Sequence, residues 1–319
     1  MIGVSRPIVK HSFTVDKQEN IANIVAEAFH IATSGRQGPV LIDVPKDLTN
    51  PDDLFDFVYP DKVHVRSYNP PIKPENHQVS RAVDAILASE RPVIYAGGGT
   101  ISSNASKELR ELNDLIDAPV TNTLMGLGVF PGTHKRFLGM LGMHGTYQAN
   151  MAMHNADLII ALGARFDDRI TNAPDKFAPR AKIIHFDVDH SSVSKIIEAD
   201  IAVFGQIKDS LQAINNHLKT KIDEIDNEKL APWHQQISDW KEKHGLNHDL
   251  YKIEDDSGPI LPQAAVQHIY QESQGKAFVT SDVGQHQMFA AQYYHFDEPR
   301  KWINSGGLGT MGFALPSAM

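Results

Sequence analysis

Residues 92–100 read Pro92-Val93-Ile94-Tyr95-Ala96-Gly97-Gly98-Gly99-Thr100. An apolar run leads straight into three glycines, and Ser102, Ser103 and Asn104 stand ahead of the next helical stretch. Runs of this kind are strands buried on both faces, as in parallel sheets. The pattern recurs on either side. A helix over Gln78–Ala88 precedes this strand, and a helix over Ala105–Ile116 leads to a strand at Pro119–Thr123. A helix at Tyr147–Asn155 leads to a strand at Asp157–Leu162. A strand at Lys182–Asp187, a short helix from Ser191, a strand at Ile201–Phe204 and a helix over Lys208–Leu218 complete the block. Such alternation indicates an α/β fold with a doubly wound parallel sheet over residues 76–218, long enough for one whole domain.

Working outward, residues 1–50 carry one helix, Gln18–Ser34, with apolar residues at helical period, and one strand, Val40–Val44. Two elements cannot bury a core, so this stretch reads as the tail of a domain. Residues 51–75, with Pro51, Pro60, Pro70, Pro71 and Pro74, read as a linker. Residues 219–260 are charged, with little core, and read as a second linker with helical turns. From 261 a new α/β unit begins: a helix over Pro262–Gln271, strands at Ala277–Val283 and Arg300–Asn304, then a glycine-rich loop that should open a helix near the last residue, Met319.

Composition narrows the function classes. With 41% hydrophobic and 22% charged residues the chain is ordinary for a soluble globular protein. No apolar stretch reaches the roughly 18 residues a membrane span needs, and MIGVSRPIVKH lacks the layout of a signal peptide. The default expectation is cytoplasmic, without membrane. The absence of cysteine excludes disulfides, thiolate metal sites and cysteine nucleophiles. A net charge of -9 with no basic stripe argues against nucleic acid. The 16 histidines are scattered, with no HExxH spacing, and read mostly as surface or packing residues.

Six strand-end motifs carry the candidate chemistry. Gly97-Gly98-Gly99 is either a tight βα turn or a backbone cradle for phosphate. Leu141-Gly142-Met143-His144 is a loop with His144 as helix cap, or a ligand contact. Gly163-Ala164-Arg165-Phe166-Asp167-Asp168-Arg169 follows a strand directly, where open α/β sheets bind ligands. Its guanidiniums suit phosphates or flat rings, or else a local salt-bridge cluster. Asp187-Val188-Asp189 is a hydroxyl acceptor or a cap. Asp282-Val283-Gly284-Gln285-His286-Gln287-Met288-Phe289 is a turn whose Gln and His can donate to phosphate, or a helix start with polar caps. Gly306-Gly307-Leu308-Gly309-Thr310-Met311-Gly312 permits close backbone approach to a ligand, with Met311 an adaptable apolar contact. No catalytic triad emerges.

Five segments in order resemble one family: Leu124-Met125-Gly126-Leu127-Gly128, Met140–Thr146, Arg165–Arg169, Gly284–Met288 and Ser305–Phe313. The chain resembles, along its whole length, the catalytic large subunit of acetolactate synthase, a thiamine-diphosphate enzyme. The resemblance implies a central FAD-binding domain flanked by incomplete α/β thiamine-diphosphate-binding domains. Residues 1–50 would end the pyrimidine-binding domain and 261–319 would begin the diphosphate-binding one. Flavin contacts are implied at Arg36, Gly97, Gly98, Gly99, Thr123, Leu124, Met125, Leu141, Gly142, Met143, His144, Gly163, Arg165, Asp167, Arg169, Asp187 and Val188. Gln206 departs from the family's Gly-Asp, and Ala314 from a usual glycine. Thiamine diphosphate contacts are implied at Val283, Gly284, Gln285, His286, Gly309 and Met311, and Lys10, Lys46 and Asp168 match a substrate channel.

The implied reaction joins pyruvate to a second 2-keto acid, pyruvate or 2-ketobutyrate, with loss of carbon dioxide, in valine, leucine and isoleucine biosynthesis. The implied assembly is a homodimer of catalytic subunits with a small regulatory subunit. The family's activating glutamate and its Mg²⁺ ligands match no residue between Met1 and Met319, so the stretch alone is expected to be inactive. The rival expectation is a non-catalytic FAD or nucleotide-binding module.

Overall fold

The structure, a computed structural model, describes residues 1–250 and 258–319 and divides into two units, 1–72 and 73–319. The first unit holds α1 (Ile2–Ser5), β1 (His11–Thr14), α2 (Ile21–Thr33) and β2 (Val40–Asp43). β1 pairs β2 in parallel from His11↔Val40 to Thr14↔Asp43. β1 is absent from the sequence reading because His-Ser-Phe-Thr is short and half polar. Ala22, Ala28 and Ile31 are the buried residues of α2. The Lys10 ammonium donates to the carbonyls of Ile31 (2.5 Å) and Ser34 (2.7 Å) and to the Tyr68 hydroxyl (2.6 Å). Residues 51–72 of this unit hold no helix or strand.

In the second unit the order is α3 (Asn76–Ala88), β3 (Pro92–Ala96), α4 (Gly98–Ser102), α5 (Ser106–Ile116), β4 (Val120–Asn122), β5 (Phe137–Met140), α6 (Tyr147–Asn155), β6 (Leu158–Leu162), α7 (Asp168–Thr171), β7 (Lys182–Asp187), β8 (Ile201–Phe204), α8 (Ile207–Thr220), α9 (Ala231–His244), α10 (Pro262–Ser273), β9 (Val279–Ser281), α11 (Gln285–Tyr293), β10 (Trp302–Asn304) and α12 (Ala314–Ala318). Six strands form one parallel sheet in the order β5-β4-β3-β6-β7-β8. The doubly wound α/β expectation therefore holds, and the strand order reverses between β3 and β6.

Alternate strand residues face opposite layers, as the pleat requires. Ile94, Ala96, Ile160, Leu162, Ile184 and Phe186 pack with α3, α5 and α8, whereas Val93, Tyr95, Ile159, Ala161 and Ile183 pack with α6 and α9. Helix α9 lies in the stretch read as a charged linker, yet it buries Trp233 and Ile237, and the Trp233 indole N–H donates to the Pro92 carbonyl at 3.2 Å. Two apolar residues diluted among charges escaped a compositional reading. The helix expected from Ser191 is a turn instead. Asp189 accepts from the Ser191 N–H (2.9 Å) and hydroxyl (2.7 Å), and local side-chain bonds of this kind compete with a helix. β5 was also missed, because Gly139 (φ +92°) interrupts it and its register with β4 slips.

The last elements form a smaller parallel pair, β9 with β10. They dock on the β4–β5 side of the main sheet through Leu127, Met140, Ala290, Ala291, Tyr294, Phe296 and Trp302. Polar ties seal the seam: the Gly132 N–H donates to the Phe296 carbonyl (3.0 Å), and the Thr133 hydroxyl donates to Asp297 (3.0 Å). Among the described residues no helix is long and apolar enough to cross a membrane, and no group of three or more His, Cys, Asp or Glu is placed to hold a metal ion.

Candidate functional site

The carboxyl ends of β3 to β7 carry the sequence-selected residues of the second unit's main sheet, with Gln206 after β8. A reversal of strand order opens a crevice at those ends, here between the loops after β3 and β6. Three glycines close its floor. A Cβ on Gly97 would stand 2.3 Å from the Gly163 carbonyl oxygen, and one on Gly99 would stand 2.8 Å from Gly163 Cα. Gly163, at φ +55°, would in turn meet Gly99 Cα at 2.6 Å. The Gly99 N–H donates to the Gly163 carbonyl (3.1 Å) and the Thr100 hydroxyl to the Leu162 carbonyl (2.8 Å). These glycines let two backbones touch. Gly98 faces away from this contact, toward Met125, whose Cβ a methyl there would meet at 3.2 Å.

After β4, the Thr123 N–H donates to the Ala96 carbonyl (3.0 Å) and the turn Leu124–Gly126 follows. The buried Thr123 hydroxyl and both polar atoms of the Asn122 amide have no hydrogen-bond partner among the described residues. Asn122, which the sequence reading passed over, is fully buried. After β5, the Met143 N–H donates to the Arg169 carbonyl (2.9 Å), joining this loop to that after β6. Leu141 is buried and Met143 is exposed. Asn150 grips Gly142, donating to its carbonyl (3.0 Å) and accepting from its N–H (3.1 Å). Thr146 caps α6, not His144, whose carbonyl accepts from Gln292 (2.7 Å).

After β6, Phe166 is buried at φ +54° among Tyr95, Phe177 and His185, at ring separations of 5.7, 5.8 and 5.2 Å. That anchor leaves Arg165, Asp167, Asp168 and Arg169 exposed on the rim. Arg165 donates to Asp167 at 3.2 Å, and Asp167 caps α7 by accepting from the Arg169 N–H (3.3 Å). After β7, Asp187 accepts from the Asp189 N–H (2.8 Å) and precedes half-buried Val188. Burial pushes the Asp187 carboxyl up, opposed by the Asp189 N–H and by His185. His185 is fully buried, and desolvation pushes its imidazole pKa down, opposed by Asp187 at 3.9 Å. The Gln206 side-chain Oε1 accepts from the Ser103 hydroxyl (3.2 Å), tying the β8 end to the β3 end.

A second edge is formed by β9 and β10. Val283 leads to Gly284, and Gln285 and His286 open α11, exposed. Asp282 Oδ1 accepts from the Phe313 (2.6 Å) and Ala314 (3.1 Å) N–H groups, binding the β9 turn to the start of α12. Those bonds, the Ala314 one foremost, hold its carboxyl below the usual range. The Val283 methyls stand 3.9 Å from where a Gly309 Cβ would lie, and Met311 is exposed. Asn304 is buried, with neither polar atom of its amide partnered among the described residues. Lys10, Arg36 and Lys46 lie in the first unit, with Lys46 exposed on a short turn.

The two edges offer unpartnered buried polar groups, exposed guanidiniums and exposed thioethers. They suit a ligand with a flat apolar ring, hydrogen-bonding edges and anionic groups. Asn122 and Asn304 were not singled out from sequence, whereas Asp282 opens one of the strand-end motifs. Both asparagines end a strand, and that position is the signal that could have found them.

The thiamine pyrophosphate enzyme central-domain model matches residues 79–214, and the thiamine pyrophosphate enzyme C-terminal TPP-binding-domain model matches residues 282–319. The acetolactate synthase large subunit of Buchnera aphidicola subsp. Schlechtendalia chinensis is 51% identical over 319 residues, 100% of this chain and 55% of that protein. The acetolactate synthase isozyme 3 large subunit of Escherichia coli K12 is 47% identical over the same length, again 55% of that protein. The acetolactate synthase large subunit of Corynebacterium glutamicum is 40% identical over 317 residues, 99% of this chain and 49% of that protein. The chain thus spans about half the length of the curated relatives it matches.

Proposed function

We propose, from the premise that the chain belongs to the thiamine pyrophosphate enzyme family and is homologous to acetolactate synthase large subunits, that it serves in joining pyruvate to a second 2-keto acid, with release of carbon dioxide, in branched-chain amino acid biosynthesis. The observation that carries this reading is likeness along all 319 residues, at 51% and 47% identity, rather than over one motif. Thiamine diphosphate, when bound, supplies the electron sink for the carbanion left as a 2-keto acid loses carbon dioxide. Val283, Gly284, Gln285, His286, Gly309 and Met311 are the residues proposed to hold it. Their fit is supported by the unpartnered Asn304 amide and by exposed Met311, an apolar surface against which a ring can rest. Mg²⁺ belongs to the same proposal, with no ligand assigned among these residues.

FAD is proposed along the carboxyl edge of the main sheet. Gly98, Thr123–Met125 and Leu141–His144 would line it, with Arg165, Asp167, Arg169, Asp187 and Val188 on the rim; Arg36 is proposed as a flavin contact on the family resemblance alone. The unpartnered Thr123 hydroxyl and Asn122 amide fit a ligand with polar edges. Gly97, Gly99 and Gly163 would contribute by packing the floor. The Ser103–Gln206 bond gives Gln206 a neutral polar role where the family has an acid. Lys10, Lys46 and Asp168 are proposed to line the substrate path. The same reading assigns 1–50 to the pyrimidine-binding domain, 76–218 to the central domain and 261–319 to the diphosphate-binding domain, joined by 51–75 and 219–260. It also assigns 2-ketobutyrate as second substrate and a catalytic homodimer with a small regulatory subunit as the assembly.

Purifying the chain with added FAD tests the flavin part. Retained flavin, lost in Arg165→Ala with Arg169→Ala, is expected. A colourless protein that still binds thiamine diphosphate calorimetrically would remove FAD from the reading.

A further inference from the structure

Met125 stands between loops from two different sheets. On one side is Gly98, where a methyl would lie 3.2 Å from Met125 Cβ and 3.5 Å from its carbonyl oxygen. On the other is Gly306, in the loop after β10. A methyl there would lie 2.6 Å from Met125 Sδ, 2.5 Å from Asn304 Oδ1 and 3.2 Å from Leu124 Cδ2.

The backbone behind Met125 cannot give way. The Gly126 N–H donates to the Thr123 carbonyl (2.9 Å) and the Thr123 N–H to Ala96 (3.0 Å). A Cβ on Gly126 would already stand 2.5 Å from the Ala96 carbonyl oxygen. The outer side of the β10 loop is open: nothing lies within 4 Å of a Cβ on Gly307 or Gly312, and Leu308 and Met311 are 93% and 78% exposed. The loop is therefore bounded on its inner side by the Asn304 amide and by the Met125 thioether, a side chain with three rotatable bonds.

We propose that Met125 is a positioning residue that couples the two loops. A ligand that orders Ser305–Gly312 resets the Met125 side chain, and with it the surface that the β4 turn presents to the main-sheet crevice. The reverse follows, because coupling between two sites is reciprocal. The part of this inference that concerns flavin rests on the reading given under Proposed function.

The test uses the full chain with ¹³C-methyl methionine, the Met125 signal being assigned by Met125→Leu. Gly306→Ala without ligand should move the Met125 methyl resonance, and so should thiamine diphosphate with Mg²⁺ in the unsubstituted chain. If Gly306→Ala does not fold, the ligand experiment decides. A Met125 methyl unmoved by either overturns the coupling. Flavin fluorescence then gives FAD affinity with and without thiamine diphosphate. A change of about fivefold or more is expected, falling to none in Met125→Ala once each cofactor's own affinity for that variant has been measured and allowed for. Both cofactors binding with no mutual effect overturns the proposal. Failure of FAD to bind at all sinks the flavin reading instead, and the methyl experiments alone judge the coupling.

Discussion

Gly163→Ala is the sharpest probe of the glycine contact at the crevice floor. At φ +55° a non-glycine residue is strained by about 1–2 kcal/mol. The added methyl would lie 2.6 Å from Gly99 Cα, 2.9 Å from Gly99 C and 3.0 Å from the Thr100 nitrogen. All three are backbone atoms, so no side chain can swing away, and overpacking adds about 1–3 kcal/mol. The expected loss is about 2–5 kcal/mol, a large share of the roughly 5–15 kcal/mol that holds a domain together. Gly98→Ala is the internal control. It lies in the same loop, its closest new contact is Met125 Cβ at 3.2 Å, and it opens α4, where alanine is favoured over glycine. Its net effect should stay within about 1 kcal/mol. Urea unfolding followed by far-ultraviolet circular dichroism and by tryptophan emission gives both midpoints. Gly163→Ala should unfold at clearly lower urea and Gly98→Ala near the unsubstituted chain. A wild-type midpoint for Gly163→Ala, or equal losses in both, would refute the assignment of Gly163 to backbone packing.

Trp233→Ala should cost about 3–5 kcal/mol, since it empties a buried indole site and leaves the Pro92 carbonyl without its donor; an unchanged melting temperature would show α9 to be dispensable. Arg165→Ala and Arg169→Ala remove exposed side chains, so stability should move by less than about 0.5 kcal/mol while flavin retention falls. Equal flavin content in the purified variants would take both arginines out of the site. Asp282→Ala strips the acceptor from the Phe313 and Ala314 N–H groups and should weaken thiamine diphosphate binding by calorimetry with little change in the main-sheet melt; unchanged affinity would count against it. His248 is pushed down to about 4, first by burial and then by His295 and Lys241, against Asp249. Because the folded value lies below the unfolded one, near 6.5, its contribution is full above pH 6.5 and is lost as pH falls toward 4. Allowing for partial exposure, that loss is about 2 kcal/mol, and His248→Phe should flatten the acid limb of a stability–pH curve.

The alternation of apolar runs and helical stretches was enough to place β3, β6, β7 and β8 almost to the residue, because strands buried on both faces leave an unbroken apolar signature. β1, half polar, and β5, broken by Gly139, left none. Helix α9 was hidden for a different reason. It contacts the core mainly through Trp233 and Ile237, and the charged residues that follow them, Asp239, Lys241, Glu242 and Lys243, are exposed and dominate composition. At the site, strand ends followed by glycine, Arg-Phe-Asp-Asp-Arg or Gly-Gln-His-Gln were visible. The partners of Phe166 and the unpartnered amides of Asn122 and Asn304 depend on which strands become neighbours, and local pattern does not carry that information.

Glycine shows where such reading must stop. Gly97, Gly98 and Gly99 are identical in sequence context, and both explanations for them, close backbone packing and close ligand approach, require the same missing Cβ. The distinction lies in what stands opposite. Gly97 and Gly99 face backbone atoms of Gly163 and Ala164, which cannot rotate aside. Gly98 faces Met125 Cβ and backbone, equally fixed, but Gly306 faces the Met125 sulfur and the Asn304 amide, which can. A glycine against fixed backbone sets a distance between two strands. One against a flexible side chain leaves a surface that a ligand can reshape, and that contrast places the responsive part of this site at Met125 rather than at the triple glycine itself.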